Sequence, residues 1–317
     1  MGCLAALLGL SVAPLAPTSP LPESLRQKAH AAPAALSFQP LTAPATHRIL
    51  PGKIVFALLV TPDAASARSF YGPLFDWHFR SVGRKDSGNL EIIHRGRPIG
   101  MIVPRVLRHP ERDTPFWLPF LSTSDTAALA REARRQGGKV LFGPRAVPGL
   151  GQEAVISDPQ KGLFAAFSSA SGDPGDEGET TSGDWAWSSL LSPAPDRSAA
   201  FYKTLFDYDV KRVADPVIGR PLPHENAPGQ FFLVSQGQER AGIAGLPPGD
   251  ERPDKARWVQ FMRVDNCAST AEQVARLGGR ILVPPHMDRD GAMLAIFSDP
   301  TGAVFGAIEP GTEEKSR

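Results

Sequence analysis

Apolar and polar positions change their period in the same order twice along this chain. Apolar residues dominate from Lys53 to Val60, as they do from Asp184 to Leu191, and both stretches predict a first strand. Ile54, Phe56, Leu58 and Val60 share one face of the first; Trp185, Trp187, Ser189 and Leu191 share one face of the second. A spacing of three and four follows each strand and predicts a short helix. These helices start near Asp63 and Pro195 and bury Phe70-Tyr71 and Phe201-Tyr202. A strand and a hairpin come next, with EIIHRGRPIGMIVP turning at Arg95-Gly96 and FFLVSQGQERAGIAGL at Gln236-Gly237. Another strand, around Trp117 or Trp258, precedes a second helix capped by Asp125 or by Asp265 or Asn266, and a Gly-Gly pair ends that helix. Two closing strands follow, the last one after an Asp-Pro turn. The order predicts an α+β fold with curved, antiparallel-rich sheets in two βαβββ-type modules.

The two halves are copies. Phe70-Tyr71 and Phe201-Tyr202 are 131 positions apart, whereas Gly137-Gly138 and Gly278-Gly279, Asp158 and Asp299, Trp117 and Trp258, and Gly96 and Gly237 are each 141 apart. Five matches in one order make chance a poor explanation. The step in spacing places an insertion in the second copy between Val210 and Gln230, where DPVIGRPLPHENAPG shows no periodicity. Module one is expected over 51–168 and module two over 184–311. The acidic Gly/Ser stretch 169–183 is expected as a solvated linker and 312–317 as a charged tail. Ahead of them, Leu4 to Val12 is an apolar run too short to span a bilayer, followed by Ala/Pro-rich sequence to about residue 50 that reads as a tether. The run fits a signal-peptide core without a basic flank. It predicts export to the cell envelope, periplasmic or secreted, with a cytoplasmic extension as the alternative.

Composition narrows the function. A length of 317 residues suits two domains, and a formal charge of +1 gives no field for nucleic acid or anionic lipid. Cys3 and Cys267 cannot build a disulfide framework, and Cys267 lies in an apolar helix turn as a buried, inert thiol. His30, His47, His78, His94, His109, His224 and His286 include no pair at ligand spacing. The chain has no GxSxG, HExxH, Walker loop or GxGxxG ahead of a helix.

The signature FYxxLFxW/Y after a strand, with DPTGAVF at Asp299 to Phe305 and DPQKGLF at Asp158 to Phe164, resembles the vicinal oxygen chelate superfamily of glyoxalase I, extradiol dioxygenases and bleomycin-resistance proteins. The resemblance covers both modules. It implies curved sheets enclosing a cup, and in the family's enzymes a divalent metal held there by His, Glu or Gln from the first, middle and last strands. Counted from the motifs, those positions are Leu58 and Ser189, Leu118 and Val259, and Ala165 and Gly306; a shift of one residue adds only Gln260 as a donor.

A cup without metal or other cofactor is therefore expected, lined by Phe56, Leu58, Trp117, Trp187, Ser189, Trp258 and Gln260, binding a small hydrophobic or aromatic molecule in a monomeric chain. One alternative is a divalent-metal lyase or dioxygenase with shifted ligands such as Gln260, His94, Glu91, Glu153 or Glu309. Another is an envelope structural or partner-binding protein acting through 215–229.

Overall fold

The computed structural model describes residues 37–84, 86–107, 113–178, 180–213, 230–247, 254–288 and 291–311. The apolar run, the tether up to residue 36, the insertion loop 215–229 and the tail 312–317 lie outside the described residues. Among the described residues no helix is long and apolar enough to cross a membrane.

Copy one contains β1 (Ile54–Thr61), α1 (Ala64–Phe75), β2 (His78–Ser81), β3 (Leu90–His94), β4 (Arg97–Pro104), β5 (Phe116–Ser122), α2 (Thr126–Arg135), β6 (Lys139–Val147), β7 (Gly151–Ser157) and β8 (Leu163–Ser169). Copy two repeats the order with β9 (Trp185–Ser192), α3 (Pro195–Phe206), β10 (Asp209–Arg212), β11 (Phe231–Ser235), β12 (Gln238–Gly245), β13 (Arg257–Arg263), α4 (Cys267–Arg276), β14 (Arg280–Met287), β15 (Met293–Ser298) and β16 (Val304–Glu309). The expected signals act locally. Asp63, Asp125 and Asn266 accept from the first-turn N–H groups of their helices, and Pro195 opens α3. Both residues of each hairpin turn, Arg95-Gly96 and Gln236-Gly237, have positive φ, as a two-residue turn between right-twisted strands requires.

Each copy forms one eight-stranded sheet, in the orders β2-β3-β4-β1-β5-β8-β7-β6 and β10-β11-β12-β9-β13-β16-β15-β14. The repeat runs deeper than the copies themselves. Within a copy, β1 is parallel to β4, β5 is parallel to β8, and β1 meets β5 antiparallel, so each sheet is two βαβββ units joined at their first strands. Each copy consequently curves around a cup of its own.

The helices lie between the sheets. One buried cluster joins Leu59, Phe70, Tyr71 and Trp117 of copy one to Met262, Val274, Phe297 and Phe305 of copy two; a second joins Leu121, Ala133 and Phe164 to Leu190, Tyr202, Phe231 and Trp258. The repeated motifs are what lock the copies together. Phe70 closes on Gly279 and Phe201 on Gly138, the rings standing 2.9 and 3.2 Å from where a Cβ on each glycine would lie. Trp77 Nε1 donates to the Gly183 carbonyl at 2.8 Å, and the Tyr208 hydroxyl donates to the Gly52 carbonyl at 2.6 Å, so each copy's helix ends against the glycine ahead of the other's first strand.

Two expectations need correction. Residues 37–50 are not a tether: Leu41 and Leu50 are buried, the Thr42 hydroxyl donates to the Ser171 carbonyl at 2.8 Å, and Leu50 N donates to Asp173 at 2.6 Å. Two leucines and backbone hydrogen bonds hold a stretch that has no periodicity of its own. Nor is 169–183 a solvated linker throughout. Asp173 is buried and also accepts from the Ser122 hydroxyl at 2.5 Å, while Lys53 Nζ donates to the carbonyls of Pro174 and Gly175 and to Asp176. The acidic residues find cations and donors on the folded copies instead of water.

Candidate functional site

The two cups occupy the same position in the fold and differ in what fills them. In copy one Phe56, Leu58 and Val60 of β1 face away from the helices with Met101, Val103, Leu118, Phe120, Ala165 and Phe167, and all are buried. Leu41 is buried in the same cluster with Phe38 packed against it, so the N-terminal segment caps this cup. Arg80 donates to the Ser37 carbonyl at 3.0 Å, and Gln39 N donates to Glu91 at 3.0 Å, fastening the cap. Two carboxylates at the margins are neutralised in place: Glu91 is paired with Arg80 and Glu153 with Arg145. Burial pushes the Glu153 carboxyl up despite its arginine.

The second cup differs by substitution at register-equivalent positions. Leu58 pairs with Met101 in copy one, whereas Ser189 pairs with Gly242 in copy two. Phe120 pairs with Ala165, and Phe261 with Gly306. The buried carboxylates Glu91 and Glu153 are replaced by Phe232 and Leu294. Trp187 lies over Gly242, where an added Cβ would stand 3.3 Å from the indole, and its Nε1 donates to Ser189 Oγ at 3.0 Å. The edge of Phe232 meets the Trp187 ring at a centroid distance of 5.9 Å. Phe261 covers Gly306 so closely that no side chain fits there. Trp187, Ser189, Leu191, Phe232, Leu294, Ile296, Val304 and Ile308 are all half-buried, while most of their copy-one equivalents are buried. What results is an apolar, aromatic concavity with one hydroxyl at its floor.

The expected lining set is therefore divided. Phe56 and Leu58 lie in the filled cup, Trp187 and Ser189 in the open one. Trp117 and Trp258 turn to the helix side, because strand alternation opposite Leu59 and Leu190 points them there. Their Nε1 atoms donate to the hydroxyls of Tyr71 and Tyr202, each at 3.2 Å. Gln260 is fully buried on that same side, opposite Ser188, whose hydroxyl donates to its Oε1 at 2.5 Å; its Nε2 has no partner. Trp185 also leaves the expected face. A register shift beside Trp187 turns it toward Trp77 and Trp117, and the corresponding shift carries Ile54 to the helix side in copy one. Sequence reading missed Gly242, Phe232, Phe261, Leu294 and Ile296. The 141-residue offset held the signal for these, since it sets Gly242 against Met101 and Phe232 against Glu91.

Metal-donor side chains on the two concave faces are few and dispersed. Strand register gives the concave face of sheet two the Ser189 hydroxyl at its floor, with His286 opposite Leu294 and Asp209 on the exposed outer strands; the acids of sheet one are tied to arginines. Among the described residues, no three His, Cys, Asp or Glu side chains gather as a metal-holding group. The shifted ligand set is scattered: His94 is 3.9 Å from Asp184 at the junction of the copies, and Glu309 accepts from Cys267 N at 3.0 Å. Burial pushes the Cys267 thiol up to about 11, so it is not a poised nucleophile.

A family model described as Glyoxalase/Bleomycin resistance protein/Dioxygenase superfamily matches residues 53–165 and 187–306. CFP32 of Mycobacterium tuberculosis (strain CDC 1551 / Oshkosh), a candidate glyoxylase by its name, is 26% identical over 262 residues, spanning 81% of this chain and 94% of that protein. The anthracycline biosynthesis protein DnrV of Streptomyces peucetius is 27% identical over 286 residues, spanning 83% and 94%. Among solved structures, the Mn(II)-bound glyoxalase from Novosphingobium aromaticivorans aligns with a TM-score of 0.56 at 18% identity, covering 82% of each chain. The 2,2',3-trihydroxybiphenyl 1,2-dioxygenase from Sphingomonas wittichii strain RW1 also gives 0.56, at 13% identity, covering 81% of this chain and 90% of that one. At such identities the structural likeness speaks for the fold alone.

Proposed function

Because this chain belongs to the glyoxalase/bleomycin resistance protein/dioxygenase superfamily, we propose that its second sheet is a metal-independent binding cup for a small aromatic or hydrophobic molecule. The supporting observation is the contrast between register-equivalent floors, Leu58 with Met101 in the capped cup against Ser189 with Gly242 in the open one. Apolar contact with Trp187, Phe232 and Phe261 supplies most of the attraction, at roughly 25 cal/mol per Å² of apolar surface removed from water. The Ser189 hydroxyl accepts from Trp187 Nε1 and keeps its own proton to donate to a ligand oxygen, which orients the molecule. Copy one serves as a rigid support, its cup filled by its own side chains. The Streptomyces peucetius relative is named for anthracycline biosynthesis, which supports a polycyclic aromatic ligand.

The test is a titration of chelator-treated protein with a panel of planar aromatic compounds, followed by tryptophan emission. A saturable change with at least one compound is expected, and silence across a diverse panel overturns the reading.

A further inference from the structure

At the rims of both cups, the copies leave a cleft of about 310 Å³ where the first residues of β5 and β13 meet. Trp117 and Trp258 line it, and at 2% and 6% exposure they sit at its bottom. Their indole N–H groups are already given to Tyr71 and Tyr202, so they offer a ligand carbon surface only. Leu163 and Val304 extend the apolar walls. Trp117 corresponds to Trp258 and Leu163 to Val304 at the 141-residue offset, so the walls straddle the axis relating the copies.

The charges do not follow that symmetry. Lys161, Lys255 and Arg257 line the cleft, while their counterparts Gly302, Thr114 and Phe116 carry no charge. Arg105 adds a fourth cation, against Asp113 in the lining and Asp254, which pairs with Lys161 at 2.5 Å. A core seam between copies needs no such one-sided positive rim. Its volume also falls at the lower end of the range typical of small-molecule pockets.

We propose that this cleft is a second ligand site that takes an organic anion, its aromatic body against the two indoles and its acid group at the rim of Arg105, Lys255 and Arg257. The site shares its Val304 wall with the open cup but has its own charged rim and does not depend on Ser189.

Two dyes sharing one apolar body test this on the full-length protein: 1-anilinonaphthalene-8-sulfonate and the uncharged N-phenyl-1-naphthylamine. The sulfonated dye is expected to bind about tenfold tighter than the neutral one, and its binding to weaken as salt rises. Leu163→Trp, which fills the cleft, should remove the salt-sensitive component of the sulfonated dye's binding; Lys255→Glu should weaken that component several-fold, and Ser189→Leu in the open cup should leave it unchanged. If Leu163→Trp does not fold, Thr114→Trp fills the cleft from its rim. Equal binding of both dyes overturns the anionic assignment. A salt-sensitive component that survives filling of the cleft, or that Ser189→Leu removes, overturns the site.

Discussion

The Tyr202 hydroxyl donates to the Asp158 carboxylate at 3.1 Å, tying the first helix of copy two to the Asp-Pro turn of copy one. Tyr202 also accepts from Trp258, so three of the repeated residues form one buried chain, and Tyr71 accepts from Trp117 in the same way in copy one. The sequence signature of the family, in this chain, marks the seam between copies, and the ligand-facing floor is set by residues outside it.

Acid titration should expose that seam. Burial holds the Asp158 carboxyl up at about 6 against hydrogen bonds from Gly162 and Tyr202. Between about pH 4 and 6 the folded protein therefore keeps a proton that the unfolded chain has lost, and unfolding free energy falls as pH rises through that window, by about 3 kcal/mol for this group. Asp158→Asn removes the titration. Denaturant melts at about pH 4 and pH 7 should show a smaller loss of stability with rising pH in the variant; an unchanged difference between the two pH values contradicts the assignment.

Removing the hydroxyl has its own signature. Tyr202→Phe leaves the Trp258 N–H and one Asp158 oxygen buried without this partner, for a loss of about 1 to 3 kcal/mol. Tyr71→Phe should cost a similar amount through Trp117. Equilibrium urea unfolding measures both, and a neutral result for both would mean that the seam is held by ring packing alone.

The cap over the first cup can be tested at Leu41, which is 2% exposed in a cluster with Phe56 and Leu58. Leu41→Ala should destabilise by about 2 to 4 kcal/mol, as truncation of a core leucine does. A cost below about 0.5 kcal/mol, the scale of an ordinary surface substitution, would show that 37–50 is the loose tether its composition suggests.

Metal removal should be inconsequential. Dialysis against a strong chelator is expected to leave the thermal midpoint where it was, because a metal bound only to the native state would have contributed stability. A fall of several degrees that manganese or iron reverses would contradict the donor-poor cups.

Much of the fold was legible in the chain. The offsets of 131 and 141 gave two copies, and Asp63, Asp125, Asn266 and the turns at Gly96 and Gly237 gave element boundaries, because caps and positive-φ turns are local chemistry. The candidate site was legible only in part. Trp187 and Ser189 share the expected face, but one register shift sends Trp185 the other way, and no residue in the strand announces it. Trp117 and Trp258 look like ligand-stacking residues until the partner strand fixes which face they take. The capping of the first cup was invisible, since two side chains, Phe38 and Leu41, carry it within an Ala/Pro-rich stretch.

Calorimetric titration of chelator-treated wild-type protein and Ser189→Leu with the same planar aromatic compounds tests the central claim most directly. The account predicts one-to-one binding to the wild type without added metal and no measurable heat with the variant, whose fold is unchanged by circular dichroism. Equal heats from both proteins, or binding that appears only once manganese or iron is restored, would contradict it.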